Sequence, residues 1–70
     1  MSAITKEGIE VFPGQLWRDL DKRMDGRTLE VWLVNGGYAF MKRRNGAGKM
    51  TKIAISRMHK SSTGWALVQP

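Results

Sequence analysis

Three short segments rich in β-branched and aromatic residues follow one another in the middle of the chain, separated by two glycine turns. The segments are RTLEVWLV (27–34), YAFMKRR (38–44) and KMTKIAIS (49–56), with NGG and NGAG between them. Runs of this kind favour strands, and Asn-Gly is a strong hairpin signal because a type I′ turn needs positive φ at both central residues. The pattern therefore predicts a three-stranded antiparallel meander.

The pairing register of this meander decides which side chains form the core, because successive residues of a strand point to opposite faces. A turn at Asn35–Gly36 and a four-residue loop at 45–48 set Phe40 opposite Ile53. The predicted core face then consists of Leu29, Val31, Leu33, Tyr38, Phe40, Ile53 and Ile55. The opposite face is predicted to hold Glu30, Trp32, Ala39, Met41, Arg43, Met50, Lys52 and Ala54.

The segments on either side of the meander complete the fold prediction. WALV (65–68) predicts a short last strand, and the polar stretch RMHKSSTG before it has room for one helical turn. QLWRDLDKRM (15–24) fits both a strand and a helix, and its short length favours the strand. We therefore predict an all-β fold, a small SH3-like barrel of four or five antiparallel strands with a single helical turn before the last strand. The alternative is an α+β fold with a helix over 14–24 on a three-stranded meander.

Length and cysteine count limit the domain organisation. The chain has 70 residues and no cysteine, so we expect one domain held by packing, without a disulfide or a thiolate zinc site. Residues 1–10 are predicted to be a flexible tail and residues 11–70 the domain. Because so small a core is marginal, a homodimer is a reasonable expectation. The N-terminus does not resemble a secretion signal and no apolar run is long enough for a bilayer, so the sequence predicts a soluble, cytoplasmic protein.

Charge is distributed unevenly along the chain. Residues 1–35 contain five Lys or Arg against six Asp or Glu, whereas residues 36–70 contain seven Lys or Arg and no Asp or Glu. Such asymmetry is typical of a protein with a polyanionic partner. The other explanation, a basic surface that maintains solubility, remains open.

Several chemistries fit the sequence poorly. A Walker loop requires G-x-x-x-x-G-K-[ST], but Met50 follows Gly48-Lys49, and Arg43 stands where the first glycine is needed. His59 has no carboxylate nearby in sequence to orient it as a base. Asp19 and Asp21 have arginines close by, so ion pairs are expected instead of a metal site. We therefore predict no enzyme activity, cofactor or metal.

A family resemblance covers most of the chain, from Pro13 to Val68. The segments PGQLWRDLDKR, GRTLEVWLV and STGWALV resemble a pattern in short, mostly uncharacterised bacterial and phage-encoded proteins. The matching residues are Pro13-Gly14, Trp17, Asp19, Asp21, Arg23, Gly26-Arg27 and Gly64-Trp65. The resemblance implies a small SH3-like or KOW-like barrel, a fold that acts on nucleic acids and on proteins alike, without a catalytic signature.

Nucleic acid, DNA or RNA, is the partner class that the sequence favours. A β-hairpin with cations around its turn can lay them along a phosphate backbone, and an exposed aromatic side chain can stack on bases. The predicted contact residues are Trp32, Lys42, Arg43, Arg44, Lys49, Lys52, Arg57 and Lys60. The alternative is a protein-interaction module that uses a face around Trp32, Met41 and Met50 to bind a host protein or a second copy of the chain.

Overall fold

Five antiparallel strands form a single sheet in the computed structural model, which describes residues 3–70. They are β1 (Leu16–Asp19), β2 (Thr28–Asn35), β3 (Tyr38–Lys42), β4 (Thr51–Ala54) and β5 (Trp65–Gln69), and their order in the sheet is β4-β3-β2-β1-β5. Two 3-10 turns, Lys22–Met24 and Ile55–Arg57, follow β1 and β4. The two edge strands contribute to one groove, which Ile53 of β4 and Trp65 of β5 both line.

This architecture confirms the predicted fold class. It has five antiparallel strands and, between β4 and β5, a single helical turn. The alternative α+β fold with a helix over 14–24 is wrong. Residues 16–19 form a strand that pairs with β2 and β5. Within 14–24, the helical residues are those of the three-residue turn Lys22–Met24.

Aspartate side chains explain why no longer helix forms after β1. Asp19 accepts a hydrogen bond from the backbone N–H of Asp21 at 3.0 Å, and Asp21 accepts one from the backbone N–H of Arg23 at 3.0 Å. Such local bonds cap a turn and compete with a helical ladder. Asp25 then adopts a left-handed conformation with φ of 54°, which ends the turn and leads the chain into β2.

The core takes its side chains from all parts of the sheet and from the segments that flank it. Its buried hydrophobic residues are Val11, Trp17, Leu29, Val31, Ala39, Met41, Ile55, Met58 and Trp65. Both polar atoms of the buried Gln15 amide are hydrogen-bonded. Its oxygen accepts from the indole N–H of Trp17 at 3.1 Å and from the backbone N–H of Phe12 at 3.0 Å. Its NH₂ group donates to the Glu10 carbonyl at 2.8 Å, which ties the N-terminal segment to the core.

The N-terminal segment was predicted as a flexible tail over residues 1–10, and the structure packs its described part, residues 3–10, against the core. Ile4 and Glu10 form an antiparallel bridge, and the Val11 N–H donates to the Ala3 carbonyl at 2.8 Å. Ala3 and Ile9 of this segment pack on the core, which explains the attachment, because burying their apolar surface is favourable. Met1 and Ser2 lie outside the described residues.

The predicted register of the meander is wrong. Asn35 pairs with Tyr38, so the two central turn residues are Gly36 and Gly37, with φ of 59° and 81°, and not Asn35 and Gly36. Both choices satisfy the need for positive φ, because NGG contains two overlapping turn dipeptides. On the next strand Phe40 pairs with Lys52 and Ala39 with Ile53, which places Phe40 and Ile53 on opposite faces.

A β-bulge at Trp32 restores the inward direction of the first half of β2. Leu33 pairs with Phe40 while Val31 pairs with Met41, so Trp32 is the extra residue on its strand. A bulge of this kind re-aims the side chains beyond it. Leu29 and Val31 therefore stay buried as predicted, whereas Trp32 and Leu33 both point to solvent.

In the observed register, some side chains predicted in the core are exposed, and some predicted on the surface are buried. Leu29, Val31 and Ile55 are buried and Ile53 packs on the core, as expected. Leu33 is instead 51% exposed and Tyr38 39% exposed, and Phe40 is half-buried outside the core cluster. Ala39 and Met41, predicted on the opposite face, are completely buried.

Two smaller differences concern the ends of elements. The loop between β3 and β4 runs over residues 43–50, longer than the predicted 45–48, because β3 ends at Lys42 and β4 begins at Thr51. The helical turn starts at Ile55, within the segment predicted as the third strand of the meander. No helix within residues 3–70 has the length and apolar character to cross a membrane.

Candidate functional site

The solvent-facing side of β2, β3 and β4, here called the outer face, is both apolar and cationic. It consists of Trp32, Leu33, Tyr38, Phe40, Lys42 and Lys52, which the pairs Leu33–Phe40 and Phe40–Lys52 bring side by side. Trp32 is 45% exposed. Exposed aromatic side chains grouped on one face of a small domain mark an interaction surface more often than isolated ones do.

Two lysines of the outer face lie against aromatic rings. The Lys42 ammonium is 5.7 Å from the ring centre of Trp32, and the Lys52 ammonium is 4.6 Å from the ring centre of Tyr38. Both distances are within the range of a cation–π interaction. Trp32 follows Glu30, the cross-strand partner of Lys42, by two residues on β2, which places the indole on the same side as Lys42.

The 43–50 loop adds three exposed cations at one end of the outer face: Arg43, Arg44 and Lys49. Arg44 forms an ion pair with Glu30 at 3.6 Å, and within residues 3–70 the other two form none. The Gly46 N–H donates to the Arg43 carbonyl at 2.8 Å, which closes the loop on itself. Gly46 and Gly48 both have φ of 82° with open space around them, so they serve the loop conformation and leave its surface unobstructed.

Arg57 and Lys60, also predicted as contact residues, lie apart from this loop. Arg57 belongs to the second 3-10 turn and lines a groove of about 300 Å³ between the edges of the sheet. The backbone N–H of Lys60 donates to the Glu7 carboxylate at 3.2 Å, which places Lys60 beside an acidic residue of the N-terminal segment. The structure therefore groups six of the eight predicted residues on the outer face and the 43–50 loop. Arg57 lines the groove together with Tyr38 and Lys52 of the outer face, and Lys60 lies beside Glu7.

The groove itself is a mixed-charge surface whose acidic residues are already engaged. Asp19, 5% exposed, accepts from Arg27 at 3.0 Å, and Asp21 accepts from Arg23 at 2.7 Å. The expected ion pairs at these two carboxylates are thus confirmed. Hydrogen bonds from Arg23 are the main reason that the pKa of Asp21 falls to about 2. Within residues 3–70, no three His, Asp or Glu side chains come close enough together to hold a metal ion.

Sequence reasoning missed three members of the outer face: Leu33, Tyr38 and Phe40. The sequence pattern predicts all three in the core, because a turn at Asn35–Gly36 lies one residue before the observed turn. The available signal was the second turn dipeptide, Gly36-Gly37, which predicts the observed pairing of Leu33 with Phe40. Met41, predicted beside Trp32 on the alternative protein-binding face, is buried, so that face loses one of its apolar members.

The fold and the site together define a class of protein: a small all-β domain with a cationic, aromatic outer face. No family model, curated protein or solved structure matches the chain. The resemblance to short bacterial and phage proteins therefore stays a prediction.

Proposed function

We propose that this protein is a non-enzymatic nucleic-acid-binding domain that holds phosphates with the outer face and the 43–50 loop. The observation that supports the proposal is a concentration of cations with little local neutralisation. Five Lys or Arg occur between residues 42 and 52, and one of them, Arg44, is engaged by a carboxylate within residues 3–70. Cations that are not paired within the protein can neutralise phosphates, and this releases the counterions bound to a nucleic acid, which favours binding.

The position of the cations favours a backbone contact over an enclosed anion site. Arg43, Arg44 and Lys49 are exposed on a loop, and Lys42 and Lys52 flank the aromatic rings of the sheet. An arrangement spread along a hairpin suits successive phosphates of a polymer. Arg57 and Lys60 are proposed to add long-range attraction from the side of the domain, since neither lies on the loop.

A double charge reversal tests the proposal. In Arg43→Glu plus Lys49→Glu we expect affinity for mixed DNA and RNA oligonucleotides to fall at least tenfold. The dependence of log affinity on log salt should weaken by about one unit for each phosphate that the variant no longer binds. The matched control is Lys6→Glu plus Lys22→Glu, which changes the net charge equally at exposed positions outside the site. Filter-binding titrations at two salt concentrations measure both effects.

The stability of the reversed variant separates a binding effect from a folding effect. Because Arg43 and Lys49 are exposed and form no ion pair within residues 3–70, we expect the free energy of unfolding to change by less than about 1 kcal/mol. Unchanged nucleic-acid retention by this folded variant, at both salt concentrations, contradicts the proposal.

The second candidate function is protein interaction, which the exposed apolar side chains Trp32, Leu33 and Met50 favour. It predicts capture of one partner protein in a salt-tolerant manner. Capture should disappear on Trp32→Ala and persist on Arg43→Glu plus Arg44→Glu, because apolar anchors dominate such interfaces. Homodimer formation, a phage origin and a cytoplasmic location stay predictions.

A further inference from the structure

The outer face contains two aromatic–lysine units separated along β3, and this arrangement bears on the form of nucleic acid that fits. One unit is Trp32 with Lys42, and the other is Tyr38 with Lys52. Lys42 and Tyr38 are four residues apart on the same strand, a distance of about 13 Å at the rise of a β-strand. Phe40 lies between them with Leu33 opposite. The face is thus a row of ring and apolar surfaces with an ammonium at each end.

A row of rings needs a partner with accessible flat apolar surface, and a nucleic-acid duplex exposes little of it. In a duplex the faces of the bases are already stacked on one another, so a protein meets phosphates, sugars and the edges of the bases. In a single strand the faces of the bases are accessible and stack on aromatic side chains. Trp32, Tyr38 and Phe40 are therefore a match for unpaired bases, and the lysines beside them for the phosphates that link those bases.

The distribution of charge on β2, β3 and β4 also favours a single-stranded nucleic acid. Glu30 is the only carboxylate in the sequence of these three strands, and it is engaged by Arg44. An acidic peptide would share this electrostatic match, but a ring is not part of its repeating unit, whereas each nucleotide brings a planar base to the exposed rings of Trp32 and Tyr38. The complementarity therefore favours a polyanion whose repeating unit includes a planar ring.

Building on the proposed function, we infer that the outer face is a stacking platform for single-stranded nucleic acid. Bases stack on Trp32 and Tyr38, Phe40 supports the strand between them, and Lys42 and Lys52 leave the rings to contact phosphates. The bulge at Trp32 widens the platform, because it lets the consecutive residues Trp32 and Leu33 both face solvent. Single strands of DNA and of RNA both provide the bases and phosphates that this platform would contact.

The experiment compares an oligothymidylate, an oligouridylate and a duplex of the same length. We expect tighter binding of at least one single strand than of the duplex. Trp32→Ala should lower single-strand affinity about tenfold to a hundredfold, the usual effect of losing one stacked base. The slope of log affinity against log salt should stay unchanged, because every phosphate-binding cation is still present. Trp32→Phe should keep the affinity within about threefold, since a ring remains.

Tryptophan fluorescence provides an independent readout of the same contact. Trp17 and Trp65 are buried, so an oligonucleotide that stacks on Trp32 should quench the exposed fraction of the emission, and Trp32→Phe should abolish this quenching. Trp32→Leu is a second variant that keeps apolar bulk and removes the indole, should the alanine variant fail to fold. Val68→Ala, at an exposed apolar position on β5, is the control that should leave affinity and quenching unchanged.

The outcomes distinguish the inference from the proposed function. Equal binding of duplex and single strands, with Trp32→Ala and Trp32→Leu both unaffected, overturns the stacking platform and leaves nucleic-acid binding in place. Failure of all three probes to bind at low salt overturns the proposed function and the inference together. A single-strand preference that the ring-removing variants abolish, with the salt slope intact, supports both.

Discussion

Two charged regions of this small domain use their side chains in opposite ways. Between residues 19 and 27, Asp19 binds Arg27 and Asp21 binds Arg23, and both carboxylates also accept backbone N–H groups. Between residues 42 and 52 there are five cations and no carboxylate. Within residues 3–70, the only ion pair that these five cations make is the long contact from Arg44 to Glu30. The first set of charges builds a turn, whereas the second remains available for a partner.

The difference teaches how to separate structural from functional charge in a short chain. Asp19 is almost completely buried and each of its oxygens is used, so its removal leaves Arg27 without its partner. The loop cations are exposed, and truncating them leaves the core packing intact. Burial and hydrogen bonding therefore assign the roles, since the sequence shows both regions simply as charge-rich.

The largest expected effect comes from removing Asp19. Asp19→Ala should lower the free energy of unfolding by about 2–3 kcal/mol, because it leaves the partly buried Arg27 guanidinium and the Asp21 N–H without their acceptor. Chemical denaturation measures the loss. Arg43→Ala is the control from the other region and should change stability by less than about 0.5 kcal/mol. Equal losses in the two variants would remove the distinction between the regions.

A smaller effect is expected at the one contact that joins the outer face to an acid. Glu30→Gln should release Arg44 and remove a negative charge beside Lys42, its cross-strand neighbour. We expect nucleic-acid affinity to rise about twofold to threefold at low salt, and the gain to shrink at high salt. Stability should change by less than about 0.5 kcal/mol, because the ion pair is exposed on the Arg44 side. A drop in affinity would show that Glu30 positions Arg44 for binding.

The strands of this fold were predictable from sequence, and the faces of the strands were not. β-branched runs and glycine turns locate β2, β3 and β4 because these signals are local. Register depends on which dipeptide of NGG makes the turn and on the bulge at Trp32, and both are decided by packing of Met41 and Ala39 against residues distant in sequence. The sequence alone therefore predicts the cations of the site, whereas the position of Tyr38 and Phe40 on the outer face follows from the observed register.

The smallest effect tests the acidic region through the ionisation of Asp21. Its pKa is lowered to about 2, first by the side-chain hydrogen bond from Arg23 and next by the backbone N–H of the same residue. A depressed carboxyl pKa stabilises the folded state at pH values above the ordinary aspartate pKa, and this stabilisation is lost as pH falls from about 4 towards 2.

Arg23→Ala should move the pKa of Asp21 back towards the ordinary value, while the remaining backbone hydrogen bond keeps part of the depression. Carboxyl carbon NMR titration measures the shift, with Lys49→Ala as the control that should leave it unmoved. If Arg23→Ala leaves the pKa of Asp21 at about 2, the side-chain contact from Arg23 is not the cause of the depression.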